Sequence, residues 1–180
     1  MSAIAVALGD PAGIGPEITG KAWAQREAAG LAPFFAVGDT GSLCHGWAGP
    51  TVRISAPEEA AGVFGSALPV LHVADGGQII VGSPDAEGAR CSLASLELAT
   101  GLTKSGASCA LVTAPVSKAQ LYGVGFTHPG QTEFIAERCG VSPDNAVMML
   151  AGPTLRVVPV TTHIPLGEVA ATLSIELIVA

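Results

Sequence analysis

Residues 4–38 constrain the fold more than any other part of the chain. A short apolar run, Ile4 to Leu8, leads into the loop GDPAGIGPE. A helix is predicted from about Pro16 to Ala29, because proline suits the first helical position and the acid that follows favours the positive helix end. A second apolar run, Phe34 to Gly38, comes next. This order predicts a βαβ unit, and therefore an α/β fold with a mostly parallel sheet.

The same alternation continues to the end of the chain. A strand is predicted at Thr51–Ile54, a helix in PEEAAGVFG, and an antiparallel pair at Leu68–Val73 and Gln78–Val81. Further on, the sequence predicts a helix capped by Ser83 that runs to Lys104, a strand ending at Thr113, a helix at Thr132–Arg138 closed by Gly140, strands at Ala146–Leu150 and Leu155–Val160, and an uncapped helix from Leu166 onward.

The amino-acid composition limits the kinds of partner that the protein can bind. Eight basic against fifteen acidic residues give a formal charge of −7, which argues against a nucleic-acid surface or an anionic membrane. A hydrophobic content of 49% with 13% charged residues indicates that the chain buries more than its own core. We predict a soluble, cytoplasmic protein with four reduced, mostly buried cysteines, because the cysteines are widely spaced and no run resembles a signal or a membrane span.

The chemistry is predicted to lie between Leu111 and Glu133. Polar residues gather there after an apolar strand, where open α/β sheets bind ligands; they are Thr113, Ser117, Lys118, His128, Gln131, Thr132 and Glu133. Thr132 could be a helix cap or a ligand contact. Lys118 could meet a phosphate at a helix start or be solvated.

A dinucleotide site is the less favoured interpretation of the first loop. Gly13 and Gly15 follow a strand and open a helix, and Asp39 ends the next strand. The third glycine of the fingerprint is replaced by Ile18. A tight turn whose amides face a polar ligand or water is therefore favoured.

A second polar group, Thr161-Thr162-His163, follows another predicted strand. His163 is the best metal candidate among the four histidines, although it could simply hydrogen-bond a neighbouring loop. No HxxxH or HExxH pattern supplies further ligands, which would come from His128, from carboxylates or from outside this chain.

Four motifs carry a family resemblance. GDPAGIGPE, TAPVSK at 113–118, PGQTEF at 129–134 and TTHIPL at 161–166 occur in this order, and the sequence resembles the 4-hydroxythreonine-4-phosphate dehydrogenases, the PdxA family. The resemblance implies a three-layer α/β/α fold of the isocitrate/isopropylmalate dehydrogenase type, here incomplete. Residues 1–180 would form the N-terminal part of a two-domain enzyme that works as a homodimer.

The resemblance also implies an activity. It is metal-assisted oxidation of 4-phosphooxy-L-threonine by NAD or NADP, followed by decarboxylation to 3-amino-2-oxopropyl phosphate, in pyridoxal 5'-phosphate biosynthesis. The divalent metal would be zinc, magnesium or cobalt. His163 matches a family metal ligand, and Thr132 a substrate contact. Gln131 stands where many relatives have histidine; its amide can donate a hydrogen bond but carries no proton or positive charge.

Family members are about twice as long, and the other half of the family sequence carries the remaining metal histidines, further substrate-binding residues and most NAD contacts. This polypeptide alone is therefore not expected to catalyse the reaction. Two alternatives remain: a dehydrogenase of 4-phosphorylated threonate or erythronate, which the Gln131 change permits, and a shortened non-catalytic binding protein.

Overall fold

A computed structural model describes residues 2–142, 145–162 and 164–179. The chain divides into two compact units, Met1–Thr127 and His128–Ala180, and each has its own architecture. In the described part of the chain, no helix is both long enough and apolar enough to cross a bilayer.

The first unit is built on a five-stranded parallel sheet. Its strands are β1 (Ile4–Ala7), β2 (Phe34–Gly38), β3 (Thr51–Ile54), β4 (Leu68–His72) and β5 (Ala110–Thr113). Their order is β3-β4-β2-β1-β5, and every neighbouring pair is parallel. The helices are α1 (Gly15–Ala24), α2 (Thr40–Gly46), α3 (Ala60–Val63), α4 (Ala86–Lys104) and α5 (Lys118–Gly123), with a 3₁₀ turn at Pro57–Glu59.

Alternation along the strands produces two apolar layers. Val6 and Phe34 face one side of the sheet, where Trp23 of α1 packs with them. Ala5 and Phe35 face the other side, where helix α4 packs. Helices therefore cover both faces of the sheet, as parallel sheets require, and the predicted α/β fold class is confirmed.

Three predictions for the first unit are wrong, the first being the length of helix α1, which ends at Ala24 and not at about Ala29. The region 78–81 forms no strand, and β4 pairs in parallel with β2 and β3 in place of a hairpin partner. Helix α4 is capped by Asp85, whose carboxylate accepts from Gly88 N at 2.8 Å, and begins after the predicted cap at Ser83.

The second unit contains helix α6 (Gln131–Cys139) and a small antiparallel ribbon, β6 (Leu150–Ala151) with β7 (Arg156–Val157). Helix α6 ends, as predicted, at Gly140 in the left-handed conformation, with φ of 78°. The ribbon strands are shorter than predicted. The predicted C-terminal helix is divided into a 3₁₀ turn (Leu166–Glu168), α7 (Val169–Thr172) and α8 (Ile175–Val179).

Candidate functional site

The loops that follow β1 and β5 form one surface at the carboxyl edge of the sheet. Asp10 N donates to the carbonyl oxygen of Pro115 at 3.1 Å, and Ala114 N donates to Ala7 O at 2.9 Å. Gly9 has a φ of 70°, and a β-carbon there would lie 2.2 Å from Pro115 O. Only glycine permits this contact. The β1–β5 pairing thus brings the GDPAGIGPE and TAPVSK motifs together.

The glycine loop is explained by packing. A β-carbon on Gly15 would lie 2.0 Å from Leu8 O, so glycine allows α1 to start directly against the end of the first strand. Within the loop, Asp10 Oδ1 accepts from Ala12 N at 2.9 Å. The structure confirms the tight turn, but the amides of Asp10, Ala12 and Gly13 donate to protein acceptors and do not face a ligand or water as predicted.

Asp39 occupies the position of a ribose-binding acid, but its carboxylate serves another purpose. Oδ1 accepts from Gly41 N at 2.8 Å and Oδ2 from Ser42 N at 3.1 Å, which caps helix α2. The side chain is only 6% exposed. These residues therefore do not fit a dinucleotide at the first loop.

Burial raises the pKa of Asp10 at this edge of the sheet. The hydrogen bond from Ala12 N opposes that shift, and the nearby negative charge of Asp85 adds to it.

Lys118 opens helix α5, as predicted, a few residues after Thr113 ends β5. Ser117 occupies the cap position and its side chain makes no capping bond. Lys118 therefore lies on the loop surface that the β1–β5 pairing organises.

Gln131 and Thr132 begin helix α6 in the second unit. The cap residue is Gly130 in an extended conformation, and no side chain caps the helix. The alternative in which Thr132 is a structural cap is therefore wrong. Thr132 is exposed and Gln131 half-buried. First-turn N–H groups of a helix attract anions, so these two residues sit where a carboxylate or phosphate can be held.

His128 fixes the turn that precedes this helix. Its Nε2 lies 2.6 Å from Glu137 Oε2, and its ring meets Phe134 edge-on with centroids 5.3 Å apart. The hydrogen bond and charge of His128, with Arg138 alongside, lower the pKa of Glu137. Since its Nε2 is engaged by a carboxylate, we interpret His128 as a residue that positions the turn.

The predicted metal ligand His163 lies outside the described residues, and its role stays a prediction. Its neighbours Thr161 and Thr162 are described, half-buried and exposed respectively. They do not directly follow a strand as predicted, because β7 ends at Val157.

Sequence analysis missed one group of potential ligands. Asp39, His72 and Asp75 each offer an atom within 4.8 Å of the others. His72 Nε2 lies 3.4 Å from Asp75 Oδ1, and its Nδ1 lies 3.9 Å from Asp39 Oδ1. The signal was available, since Asp39 and His72 both stand at ends of predicted strands. Their contact depends on β2 and β4 being neighbours, which local patterns do not reveal.

Contacts within the chain explain the positions of these three side chains. Thr40 N lies 3.3 Å from His72 Nδ1, which assigns that nitrogen as acceptor and leaves the proton on Nε2, facing Asp75. Asp39 is the α2 cap. The group can attract a cation, but its arrangement is that of an imidazole bridging two loops.

Cys91 lies beside this group and is not a nucleophile. Its thiol donates to Ala74 O at 3.3 Å. Burial raises its pKa to about 12, with the charges of Asp39, Asp75 and Asp10 adding to the effect. The prediction of mostly buried cysteines is wrong, because only Cys91 is buried and the other three are exposed.

The fold defines the class: a three-layer α/β protein with conformationally specialised loops at the carboxyl edge of a parallel sheet. The sequence model of the family described as "Pyridoxal phosphate biosynthetic protein PdxA" matches residues 32–180. The chain belongs to this family.

Individual relatives support this family assignment. The chain is 51% identical over its whole length to a 4-hydroxythreonine-4-phosphate dehydrogenase of Zymomonas mobilis, of which it covers 54%. It is also 51% identical to the enzyme of that name from Erythrobacter litoralis, over 98% of the chain and 54% of the relative. A crystal structure of 4-hydroxythreonine-4-phosphate dehydrogenase from Klebsiella pneumoniae superimposes with a TM-score of 0.84 at 30% identity, over 99% of this chain and 56% of that one. The chain thus spans about half the length of these relatives.

Proposed function

We propose that this chain provides the substrate-holding part of a 4-hydroxythreonine-4-phosphate dehydrogenase. The reaction is oxidation of the secondary alcohol of 4-phosphooxy-L-threonine, with hydride passing to NAD or NADP. The resulting β-keto acid loses CO2 and gives 3-amino-2-oxopropyl phosphate, in pyridoxal 5'-phosphate biosynthesis. The complete protein acts as a homodimer on this phosphorylated small molecule.

The observation that carries the proposal is family membership combined with the start of helix α6. By the family resemblance, Thr132 corresponds to a substrate contact and Gln131 stands where many relatives have histidine; both lie at a helix N-terminus without a side-chain cap. Backbone N–H groups, the Thr132 hydroxyl and the Gln131 amide can all donate to an anionic group of the substrate. Glu133 in the same turn adds negative charge, which favours a substrate that brings its own ammonium group.

The proposal assigns the cation and the cofactor mainly to residues beyond those described. A divalent cation (zinc, magnesium or cobalt), with His163 as one ligand, would polarise the alcohol oxygen. The first glycine loop does not fit the cofactor, so we assign NAD or NADP to the other half of the family sequence. Within this chain, Gln131 and Thr132 bind and orient the substrate.

A dehydrogenase of 4-phosphorylated threonate or erythronate is the second candidate. Gln131 keeps this candidate open, because a neutral amide replaces the imidazole of many relatives and changes how this position can bind a substrate. The non-catalytic binding protein is the third candidate.

A fusion tests these candidates. The 180-residue chain is joined to the remaining part of the Zymomonas mobilis relative, and NADH formation is measured with both substrate classes. We expect no turnover by the chain alone and a higher kcat/KM of the fusion on 4-phosphooxy-L-threonine. A preference for the phosphorylated threonate or erythronate would replace the first candidate with the second, and a folded fusion inactive on both would favour the third.

Thr132→Ala in the fusion isolates the substrate contact. Losing a hydrogen bond to a charged group costs about 1.5–3 kcal/mol, which corresponds to a kcat/KM lower by about 10- to 150-fold. Thr154→Ala, an exposed threonine in the ribbon turn, is the matched control and should leave kcat/KM unchanged. Equal activity of the two variants would remove Thr132 from the site.

A further inference from the structure

Helix α6 starts without the side-chain contact that usually fixes the first turn of a helix. Its cap residue is Gly130, and among the described residues no side chain bonds to the first-turn N–H groups as a cap. A side-chain cap orients the chain at the point where it enters a helix. Because this helix lacks one, the orientation of Gln131 and Thr132 must come from other contacts.

His128, two residues before the cap, contacts the middle of the helix. Its ring meets the ring of Phe134 edge-on with centroids 5.3 Å apart, and Phe134, the fourth residue of the helix, is 1% exposed. The arrangement is similar to a hydrophobic staple, in which a residue before the cap packs against the fourth helical residue and fixes the angle at which the chain enters. The Arg138 guanidinium lies over the Phe134 ring, 4.6 Å from its centre.

A charged contact connects His128 to the last turn of the same helix. His128 Nε2 lies 2.6 Å from Glu137 Oε2, and Arg138 Nη1 lies 3.1 Å from Glu137 Oε1. The hydrogen bond with His128 lowers the pKa of Glu137, so the carboxylate is the acceptor and Nε2 is the donor. Phe134 and Glu137 are three residues apart and share one face of the helix, so one imidazole contacts both. We call His128, Phe134, Glu137 and Arg138 the His128 clamp.

We propose that His128 is a positioning residue for substrate binding, which holds Gln131 and Thr132 in the orientation that binds the anionic group of the substrate. This inference rests on the proposed function, because it takes the start of α6 as the substrate site. His128 and the helix contact each other on both sides of the Gly130 turn, so the turn cannot change its angle without breaking the clamp. Glu137 lies six residues beyond Gln131, about 9 Å along the helix axis, and therefore acts on the substrate only through His128.

Glu137→Ala tests the clamp from the end that lies away from the substrate. His128→Ala is the second variant, and Cys139→Ala, at an exposed position in the same last turn of α6, is the matched control. All are made in the fusion with the remaining part of the Zymomonas mobilis relative. Calorimetry measures the Kd for both substrate classes, NADH formation measures kcat, and hydrogen–deuterium exchange follows the peptide that covers residues 127–139 in the absence of substrate.

We expect Glu137→Ala and His128→Ala to raise the Kd about three- to tenfold, less than the loss expected for Thr132→Ala, because the hydrogen bonds to the substrate are loosened but still present. The kcat should change by less than about twofold, since substrate and transition state lose the same binding. The peptide should exchange faster in both variants, because the turn opens more often, and at the wild-type rate in Cys139→Ala.

A Thr132→Ala background separates positioning from general stability. Because the clamp acts largely through Thr132, Glu137→Ala should raise the Kd by a smaller factor in that background. The same factor in both backgrounds would overturn the proposal, as would faster exchange with an unchanged Kd, or unchanged exchange in both clamp variants. A fusion that binds substrate but does not turn over would sink the proposed activity, and the Kd values would still decide the role of His128. A folded fusion that binds neither substrate class would overturn both.

Discussion

Replacement of Asp39 tests whether the Asp39–His72–Asp75 group is an internal network or a cation site. Asp39→Ala removes the acceptors of Gly41 N and Ser42 N, and Ser42 is buried, so its amide cannot turn to water. Loss of a cap costs about 0.5–2 kcal/mol, and the buried amide places this one near 2 kcal/mol. Asp39→Asn keeps one acceptor oxygen and loses one of two bonds, so it should cost about 1 kcal/mol.

Urea unfolding followed by far-UV circular dichroism measures both variants, with and without Zn²⁺, Co²⁺ or EDTA. Asp75→Ala is the control, because its side chain is 89% exposed and its contact with His72 should contribute less than about 1 kcal/mol. We expect the free energy of unfolding to be highest for the wild type, lower for Asp39→Asn and lowest for Asp39→Ala. Neither metal nor chelator should change these values. Equal losses for the two Asp39 variants would contradict the capping argument. Stabilisation of the wild type by Zn²⁺ that Asp75→Ala abolishes would establish a cation site.

The loop after β1 gives two further predictions. Burial raises the pKa of Asp10 above its ordinary 3.8, so the folded state holds the proton more tightly and stability falls as pH rises from 3.8 through the raised pKa. Asp10→Asn should therefore gain stability over wild type across that window and keep the gain at neutral pH; parallel curves of unfolding free energy against pH would contradict this. Gly15→Ala should lose about 1–3 kcal/mol or more, because its β-carbon would meet Leu8 O at 2.0 Å. Gly101→Ala, in open space on α4, should gain about 0.5–1 kcal/mol in the same urea experiment, and a similar loss for both would refute the packing argument.

Strands bounded by glycine and proline were predictable because their signals are local. Ile4–Ala7, Phe34–Gly38 and Ala110–Thr113 are short apolar runs closed by loop residues, and the structure confirms all three. The error at 68–81 was one of pairing. Asp75-Gly76-Gly77 does turn the chain, with Gly77 at a φ of 73°, but β4 already has a parallel neighbour on each side.

Caps were predictable only in part, because several polar residues near a helix end can compete. At α4, Ser83 and Asp85 both suit the cap, and Asp85 reaches Gly88 N. Near the C-terminus, an apolar run concealed a break at Ser174, whose hydroxyl accepts from Leu177 N at 3.1 Å and starts a new helix.

Motifs led to the candidate site residues, whose roles stay predictions, whereas the contacts of His72 could not be predicted from the sequence. The helix predicted at Thr132–Arg138 begins one residue earlier, at Gln131, and the preceding proline and glycine had indicated its start. The position of the His72 ring between two loops depends on the order of the strands in the sheet. The family resemblance gives no information about that order.

The central position of β1 also has a consequence for folding during synthesis. Ala5 lies between Phe35 and Leu111 in the sheet, although the chain between Phe35 and Leu111 includes two other strands and α4. During synthesis, β1 can join β2 early, but its second edge stays open until β5 has left the ribosome. An N-terminal strand that waits in this way exposes backbone donors and acceptors to other nascent chains, so shortening the wait, for example by faster translation of α4, should raise the yield of folded protein.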